Sequence, residues 1–294
     1  MKKLFAMMLS AAMMLSLASC GSKTQEPAPA PAPAPEASQP AEAPAEPALE
    51  TVTEGKLTVA TSPDFAPYEF YAIDENGNPS LAGFDVALAG YIADHMGLEL
   101  EIIPMDFDGV LMEVATGKVD LGVAGLSPDP ARMDAMDFSD IYYEGGQSFV
   151  TVTANKDMFK SLDDTNKPEV SVGAQTASIQ MDLANEHSPN ADIVALVKVT
   201  DIIAELLTGK LDGAYIETAV AESYKTNYPE LEIVLEVPYE AEDSAVGVVK
   251  GNEALLNAVN AAIADAIADG SMDNFVAEAG EMASGSIYEG LLEG

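Results

Sequence analysis

Several residue types are scarce in this chain of 294 residues. It contains one cysteine, Cys20, no tryptophan and two histidines, His95 and His187. A single cysteine excludes an intramolecular disulfide, and it excludes a zinc or iron–sulfur site built from cysteines. Two histidines are too few for a histidine-rich metal site. We therefore expect a protein that works without a metal or another cofactor.

Positive charge is also scarce. The chain has 13 lysines and arginines against 49 aspartates and glutamates, which gives a formal net charge of −36. Binding to nucleic acid needs clustered cations against the phosphates, so we expect no nucleic-acid partner. The apolar content of 48% is that of a globular protein, so the acidity does not indicate general disorder. The length fits one large domain or two smaller ones.

Long apolar runs are absent beyond residue 20, since none approaches the roughly 20 residues of a membrane-spanning helix. Before that point, a short basic start precedes an apolar stretch at residues 4–19. This order is typical of a secretory signal, which we assign to residues 1–19. The signal ends in Leu-Ala-Ser-Cys-Gly at 17–21, which resembles a bacterial lipobox. The resemblance implies cleavage before Cys20, a lipid on that cysteine, and anchoring to the extracytoplasmic face of the cell membrane. The alternative is an ordinary signal with a chance cysteine.

Proline dominates the next segment. Residues 23–50 contain eight of the 18 prolines, many of them alternating with alanine. Proline fixes φ and has no backbone N–H, so this segment should be extended and unpaired. We expect residues 20–53 to form a lipidated tether that spans ~3.1 Å per residue.

From about residue 54, short strand-like runs alternate with helical patterns. Residues 56–60 alternate with a period of two. Apolar residues then recur at every fourth position, which is the spacing of one helix face, at Phe84, Leu88, Ile92 and Met96. The same rhythm returns farther along the chain. It predicts an α/β fold with mainly parallel sheets.

One segment of the sequence occurs twice. Thr-Gly-Lys-Val-Asp at 116–120 recurs as Thr-Gly-Lys-Leu-Asp at 208–212. Each copy follows a predicted helix, precedes a predicted strand, and has glycine where a helix ends. Two similar α/β halves explain the repeat, although such turns are also common by chance. Since ligands bind at the carboxyl ends of strands in open α/β sheets, the loops at 125–127 and at Glu217 are the places to expect a site.

The chain has a single arginine, Arg132, just after the first of these loops. A guanidinium group matches a carboxylate with two parallel hydrogen bonds, which lysine cannot do. One interpretation is therefore a clamp for a ligand carboxylate. The other is a structural salt bridge, because any arginine finds a partner among 49 acids.

Further motifs lie in order along the folded part. They are the residues at 59–70, Gly-Phe-Asp-Val at 83–86, Pro-Met-Asp-Phe-Asp-Gly at 104–109, the block from 117 to 132, Asp-Phe-Ser-Asp at 137–140 and the two tyrosines at 142–143. Together they resemble the extracytoplasmic solute-binding proteins of amino-acid ABC transporters, solute-binding protein family 3, over residues 53–275. The resemblance implies the type II periplasmic-binding-protein fold, with two lobes and two crossover hinge segments near 144–150 and 238–246. Lobe one would comprise 54–145 plus 246–285 and lobe two 146–245, with a tail at 286–294.

The resemblance also implies a ligand site. Arg132 and Ser127 would bind the α-carboxylate of an amino acid, together with Gln175 and Ser178 at a helix start. The carbonyl of Gly125 and the carboxylate of Glu217 would face the α-ammonium. The family usually has glycine where Ala177 stands and aspartate where Glu217 stands.

Three more positions concern the ligand side chain. Phe65 and Phe107 would sandwich it, with the core of lobe one as their alternative place. Ser62 stands where relatives that bind Lys, Arg, His or Gln often have aspartate. The absence of that aspartate argues against a cationic side chain and favours a polar, uncharged one. Asp64, Glu69 and Asp108 lie nearby in sequence and could restore negative potential.

The implied function is binding, not catalysis. A monomer would capture a free amino acid and deliver it to a membrane permease of an ABC importer. One alternative is an amino-acid-sensing accessory lipoprotein. Another is a cyclohexadienyl-dehydratase-like enzyme on the same fold, for which Glu217 is the one obvious acid or base. We expect both histidines at the surface.

Overall fold

The computed structural model describes residues 49–73, 76–240 and 243–284. The predicted signal, Cys20, most of the predicted tether and the tail at 286–294 lie outside these residues. Within the described ranges, no helix combines the length and the apolar character needed to cross a bilayer.

The described residues form thirteen strands and eight α-helices. The strands are β1 (Lys56–Thr61), β2 (Asp64–Phe65), β3 (Glu69–Ile73), β4 (Pro79–Ala82), β5 (Glu99–Pro104), β6 (Leu121–Gly122), β7 (Met136–Tyr143), β8 (Gln147–Val152), β9 (Ser171–Gln175), β10 (Asp192–Leu196), β11 (Gly213–Glu217), β12 (Leu231–Glu236) and β13 (Ser244–Val249). The helices are α1 (Phe84–Met96), α2 (Phe107–Ala115), α3 (Pro130–Met133), α4 (Ile179–His187), α5 (Val199–Leu207), α6 (Thr218–Asn227), α7 (Glu253–Ala268) and α8 (Ser271–Ala283).

Two five-stranded sheets share one design. The first has the order β5-β1-β6-β13-β7 and the second β10-β9-β11-β8-β12. In the first, β13 runs antiparallel to both of its neighbours, and in the second β8 does the same. The other four strands of each sheet share one direction, so the predicted mainly parallel sheets are confirmed. The reversed strand is in both cases the first strand after the chain arrives from the other sheet.

The chain passes between the two sheets twice. It leaves the first sheet after β7, crosses at 144–146, and returns through 237–243 to β13. We call the first sheet, the small β2-β3-β4 sheet, α1–α3, α7 and α8 lobe one, and the second sheet with α4–α6 lobe two. The crossings are shorter than the segments at 144–150 and 238–246 that the sequence suggested, because β8 and β13 begin pairing at once.

Helix α1 shows how the sequence pattern becomes structure. Phe84, Leu88 and Ile92 of the predicted stripe are fully buried, and each such side chain contributes about 1.5–3 kcal/mol. Met96, the last residue of the stripe, is only partly buried. Gly97 then adopts the left-handed conformation with φ 67° and ends the helix.

The repeated segments form the same local structure in both lobes. The carboxylate of Asp120 accepts a hydrogen bond from the backbone N–H of Thr58 at 2.8 Å. The carboxylate of Asp212 accepts the matching bond from Ser171 at 2.9 Å. The glycines of both copies are left-handed. Each aspartate therefore ties the end of a helix–turn unit to a strand of its own sheet, β1 in lobe one and β9 in lobe two.

The chain is bound to lobe one from residue 50 onward. The backbone N–H of Val52 donates to Asp120 at 2.7 Å, and the side-chain amide of Asn252 donates to the carbonyl of Glu50 at 2.9 Å. Residues 50–53, which the sequence placed in the tether, thus make contact with the folded unit.

Candidate functional site

A cavity lies between the two lobes. Its walls come from the ends of strands in both sheets, because the carboxyl ends of the parallel strands and the start of each reversed strand meet at one edge. The lining residues are Phe65, Phe107, Gly125, Ser127, Arg132, Gln147, Gln175, Ile179, Gln180, Glu217 and Ser244. Seven of the nine predicted ligand-binding residues are among them. Their role in binding stays a prediction.

Arg132 reaches this cavity from the short helix α3. Asp129 begins that helix by accepting a hydrogen bond from the N–H of Ala131 at 2.8 Å. The guanidinium donates to the carbonyl of Ser127 at 3.3 Å and to the carbonyl of Ala177, in lobe two, at 3.2 Å. It also lies over the ring of Phe107, 5.5 Å from the centroid. The loop therefore fixes the direction of the guanidinium while using only part of its five donors.

The charge of Arg132 has no ion-pair partner among the described residues. Their ion pairs all use a lysine or His95 as the cation. The structural salt bridge considered from the sequence is thus not formed. Burial lowers the pKa of Arg132, an effect that the negative charge of Asp129 opposes. A half-buried guanidinium that is bonded to neutral carbonyls is suited to an incoming anion.

Glu217 lies across the cavity, at the end of β11 in lobe two. One carboxylate oxygen caps α6 by accepting from the N–H of Val220 at 2.8 Å, and the other is 3.4 Å from the N–H of Gly146. Burial raises the pKa of Glu217 to about 7, although these hydrogen bonds oppose the shift. Near neutral pH the group therefore holds a proton part of the time. A cation placed beside it would lower its pKa and favour the ionised form.

Gly125 occupies the position of lobe one that matches Glu217, since each follows its repeated aspartate by five residues. Its φ of +55° is left-handed, and a Cβ there would lie 2.9 Å from the ring of Phe65. The N–H of Gly125 donates to the buried carboxylate of Asp85 at 2.8 Å. The loop conformation and the ring together require glycine here.

The Gly-Phe-Asp motif explains how Asp85 is held in place. A Cβ on Gly83 would lie 2.0 Å from the carbonyl oxygen of Tyr68, so only glycine permits this approach. The ring of Phe84 packs on that of Tyr68 with centroids 4.3 Å apart. Asp85 is then buried at the start of α1, where burial raises its pKa to about 6. The motif therefore connects the start of α1 to the loop that carries Gly125.

Phe65 and Phe107 both line the cavity, and each also belongs to a hydrophobic cluster. The cluster of Phe107 lies in lobe one, and that of Phe65 includes buried residues of both lobes. Each side chain is nearly buried, with exposed fractions of 9% and 8%. The core position weighed from the sequence is thus observed, while the contact with a ligand side chain stays a prediction. One part of each ring packs in the core and another part is presented to the cavity.

Two predicted residues, Ser62 and Ser178, do not line the cavity. The hydroxyl of Ser62 donates to Asp64 at 2.8 Å. The hydroxyl of Ser178 donates to the carbonyl of Gln175 at 2.7 Å and accepts from the N–H of Met181 at 3.2 Å, which caps α4. Local hydrogen bonds therefore engage both hydroxyls.

Four lining residues were not predicted: Gln147, Ile179, Gln180 and Ser244. The side-chain amide of Gln180 donates to that of Gln147 at 2.8 Å, so the two form a buried polar pair. Gln147 and Ser244 are the first residues of β8 and β13, the reversed strands. The predicted crossovers were the available signal for both. Ile179 and Gln180 follow Ser178 directly, in the first turn of α4.

The described residues contain no group of three or more histidine, cysteine, aspartate or glutamate side chains that could hold a metal ion. His95 is exposed, as expected, and lies 3.0 Å from Asp265. His187 differs from the expectation, because its ring is partly buried and stacks on Tyr215 with centroids 6.4 Å apart. Neither histidine lines the cavity.

Comparison with known proteins gives one consistent result. The family model described as bacterial extracellular solute-binding proteins, family 3, matches residues 57–279. The arginine-binding extracellular protein ArtP of Bacillus subtilis is 32% identical over 203 residues, which are 67% of this chain and 76% of that protein. The cyclohexadienyl dehydratase of Pseudomonas aeruginosa is 26% identical over 184 residues, which are 62% of this chain and 67% of the enzyme.

A solved structure extends the likeness to the whole fold. The amino acid ABC transporter substrate-binding protein AbpA from Streptococcus pneumoniae, bound to L-arginine, is 33% identical with a TM-score of 0.76. The match covers 79% of this chain and 97% of that one. The two-lobed type II periplasmic-binding-protein fold expected from the sequence is confirmed.

Proposed function

The chain belongs to the bacterial extracellular solute-binding proteins of family 3, and from this premise we propose that it is the amino-acid-binding component of an ABC importer. It captures a free amino acid between its lobes and delivers it to a membrane permease. The observation that carries the proposal is that Arg132 and Glu217, of opposite charge, lie on opposite walls of one cavity.

A free amino acid carries the two charges that this pair complements. Its α-carboxylate would bind the unpaired guanidinium of Arg132, with Ser127 beside it in the same loop. Its α-ammonium would bind Glu217 and the carbonyl of Gly125. Because these residues come from both lobes, a bound amino acid bridges them and favours the closed arrangement. The permease then recognises the closed form.

The side chain of the ligand would lie between Phe65 and Phe107 on one wall and the amides of Gln147 and Gln180 on the other. Among the described lining residues Glu217 is the only acid, and the α-ammonium uses it. A guanidinium or ammonium side chain would find no second carboxylate there. We therefore propose a polar, uncharged side chain such as an amide. Arginine, which the similar proteins bind, is the main rival.

We propose binding without chemistry. Glu217 is the one lining group with a pKa near 7, which would also suit a general acid or base. Its place opposite Arg132 is explained by the charge of an α-ammonium, so no catalytic role is needed. The dehydratase relative suggests the test, in which the protein is incubated with a cyclohexadienyl acid and loss of water from that acid is measured. We expect no such turnover from this protein.

An amino-acid-sensing accessory lipoprotein would use the same site but a different membrane partner. Reconstitution in vesicles with an amino-acid ABC permease and its ATPase from the same bacterium distinguishes the two. An importer component stimulates amino-acid uptake and ATP hydrolysis there. No stimulation would favour the sensor.

The same proposal includes a lipid anchor on Cys20 at the extracytoplasmic face of the membrane, with residues 1–19 as the cleaved signal. The tether would keep a monomeric binding domain near its permease. A radiolabelled fatty acid fed to the cells should label the original protein and should not label Cys20→Ser. An original protein that takes up no label would contradict the anchor.

The experiment for the main proposal is a thermal-shift screen of the processed protein carrying Cys20→Ser, against the twenty amino acids. A ligand at a hundred times its Kd stabilises the folded form by about 2.7 kcal/mol. For a domain of this size that raises Tm by roughly 5–10 °C. A larger rise in Tm with glutamine than with arginine would support an uncharged polar side chain, and a larger rise with arginine would support a cationic one. No shift with any amino acid would overturn the proposal.

A further inference from the structure

Asp64 is buried at the contact between the lobes but does not line the cavity. It starts β2 in lobe one and is 7% exposed. Its carboxylate accepts a hydrogen bond from the backbone N–H of Val199 at 2.6 Å and another from the side-chain amide of Gln175 at 3.3 Å. Its backbone carbonyl accepts from the hydroxyl of Tyr224 at 3.2 Å. All three donors belong to lobe two, so one residue carries three hydrogen bonds across the interface.

The bond to Val199 has a particular character, because Val199 is the first residue of α5. The first N–H groups of a helix have no partner within the helix and carry its positive dipole end. Lys198, which precedes the helix, makes no side-chain capping bond. Helix α5 of lobe two thus has no capping side chain of its own at Lys198. Asp64 of lobe one provides the acceptor for its first N–H group.

The same carboxylate is connected to the walls of the cavity. Ser62 donates to its other oxygen at 2.8 Å and so fixes its orientation. Gln175 lines the cavity and reaches back to Asp64, while also donating to the carbonyl of Val197 at 3.1 Å. Phe65, the next residue in the chain, lines the cavity too. Closing of the lobes, packing of Phe65 and orientation of Gln175 are therefore coupled.

We propose that Asp64 is a positioning residue that latches the two lobes together. It stabilises the closed form by accepting hydrogen bonds from lobe two, and it raises the affinity for the ligand without touching it. The inference rests on the proposed amino-acid-binding function. Apparent affinity falls in proportion to the fraction of protein that can reach the binding-competent form, so a weaker latch weakens binding.

The latch works by accepting hydrogen bonds and not by its charge. Burial raises the pKa of Asp64 to about 6, and the negative charge of Asp106 adds to that shift. Glu69 is a second buried acid close enough to interact with it. Burial therefore outweighs the hydrogen bonds from Val199 and Ser62, which favour the ionised form. A neutral acceptor of the same shape should serve equally well.

Another contact across the lobes is weaker by comparison. Arg132 donates to the carbonyl of Ala177 at 3.2 Å, at a partly exposed place where water can replace either partner. If Asp64 is truncated, the N–H of Val199 and the amide of Gln175 lose a buried acceptor. In the open form water can satisfy both donors, so the cost falls on the closed form.

The test uses spin-label distances in the processed protein with Cys20→Ser, which is free of cysteine. Single cysteines at the exposed positions Asp134 in lobe one and Glu186 in lobe two carry the labels. Pulsed electron resonance then gives the fraction of molecules with the short, closed distance, with and without the amino acid that gives the largest thermal shift. Calorimetry gives the affinity of the same variants.

We expect Asp64→Ala to lower the closed fraction and to weaken binding by about tenfold to a hundredfold, the effect of losing buried hydrogen bonds. Asp64→Asn should close and bind at least as well as the original protein, because its side-chain oxygen still accepts from Val199. The matched control is Asp94→Ala. This acid is exposed on α1, also in lobe one, and its loss should leave both readouts unchanged.

Two results would overturn the latch. One is an unchanged closed fraction in Asp64→Ala, with or without the amino acid. The other is an equal loss in Asp64→Asn and Asp64→Ala, which would assign the effect to the charge. If Asp64→Ala does not fold, the Asp64→Asn result alone decides. If no amino acid binds the original protein, the proposed function fails, while the closed fractions of the unliganded variants still test the latch.

Discussion

The two lobes share a scaffold but present different chemistry to the cavity. Their sheets have the same strand order and the same reversed strand, and Asp120 and Asp212 make the same hydrogen bonds. Five residues beyond these aspartates, lobe one has Gly125 and lobe two has Glu217. The scaffold thus fixes where a site residue stands, and the residue type at that place fixes what it can bind.

The difference gives the cavity a polarity. Lobe one supplies the cation and the aromatic rings, and lobe two supplies the acid and all three side-chain amides. Neither wall alone complements both charges of an amino acid. A ligand that needs both must draw the lobes together, so binding and closing become one process. Substitutions on each wall test this division of roles between the lobes.

Removing the cation of lobe one should have the largest effect. We expect Arg132→Ala to cost about 3–5 kcal/mol of ligand affinity, roughly a thousandfold, because a carboxylate is left unpaired in a closed cavity. Arg132→Lys keeps the charge and should recover only part of the loss. Calorimetry measures both, and full affinity in Arg132→Ala would remove this residue from the site.

Neutralising the acid of lobe two should have the next largest effect. Glu217→Gln should weaken amino acids by about a hundredfold, near the lower end of the range for breaking a buried charge pair. Analogues without the α-amino group should bind this variant as they bind the original protein. Competition binding with both ligand types provides the measurement. If amino acids and their analogues lost the same affinity, Glu217 would not bind the α-ammonium.

Adding a side chain at Gly125, the position of lobe one that matches Glu217, should destabilise the folded protein. Gly125→Ala places a Cβ against Phe65 in a left-handed conformation, at a cost of about 2–3 kcal/mol. The control is Gly209→Ala in lobe two, which is also left-handed but has open space around it. Denaturant unfolding should show a loss of about 1 kcal/mol for that control. Equal losses would show that the ring contact contributes nothing.

The pH dependence of binding should be the smallest effect. Because the pKa of Glu217 is about 7 in the unliganded protein, ionisation is incomplete at pH 6. We expect affinity to rise roughly tenfold from pH 6 to pH 8. The dependence should disappear in Glu217→Gln. Calorimetry across that range would contradict the assignment if the affinity did not change.

The stability of the unliganded protein should respond to pH in the opposite direction. Burial raises the pKa of Glu217 to about 7 and that of Asp64 and Asp85 to about 6, above their ordinary values. The folded form then binds more protons than the unfolded form. The contribution of these three groups to stability is therefore fully present below their ordinary pKa values and is lost as pH rises through 6 to 7. Tm measured from pH 5 to pH 8 should decrease. An increase over that range would contradict these shifts.

Local pattern and resemblance were enough to place part of the site. Arg132 and Gly125 belong to a loop whose position follows from the strand before it. Glu217 follows from the repeated segment. These residues depend on contacts close in sequence, and for that reason the sequence could locate them.

The residues that were missed depend on distant contacts. Gln147 and Ser244 reach the cavity because β8 and β13 insert antiparallel into their sheets, which no local pattern shows. Asp64 contacts Val199, which lies 135 residues away in the sequence. Only the folded arrangement of the two lobes brings such a pair together.

The most direct measurement compares three ligands on the unmodified binding site by calorimetry. They are the amino acid with the largest thermal shift, the same molecule without its α-amino group, and the same molecule without its α-carboxylate. Capture between Arg132 and Glu217 predicts that each analogue binds at least a hundredfold more weakly than the intact amino acid. An analogue that binds as tightly as the amino acid would contradict the account.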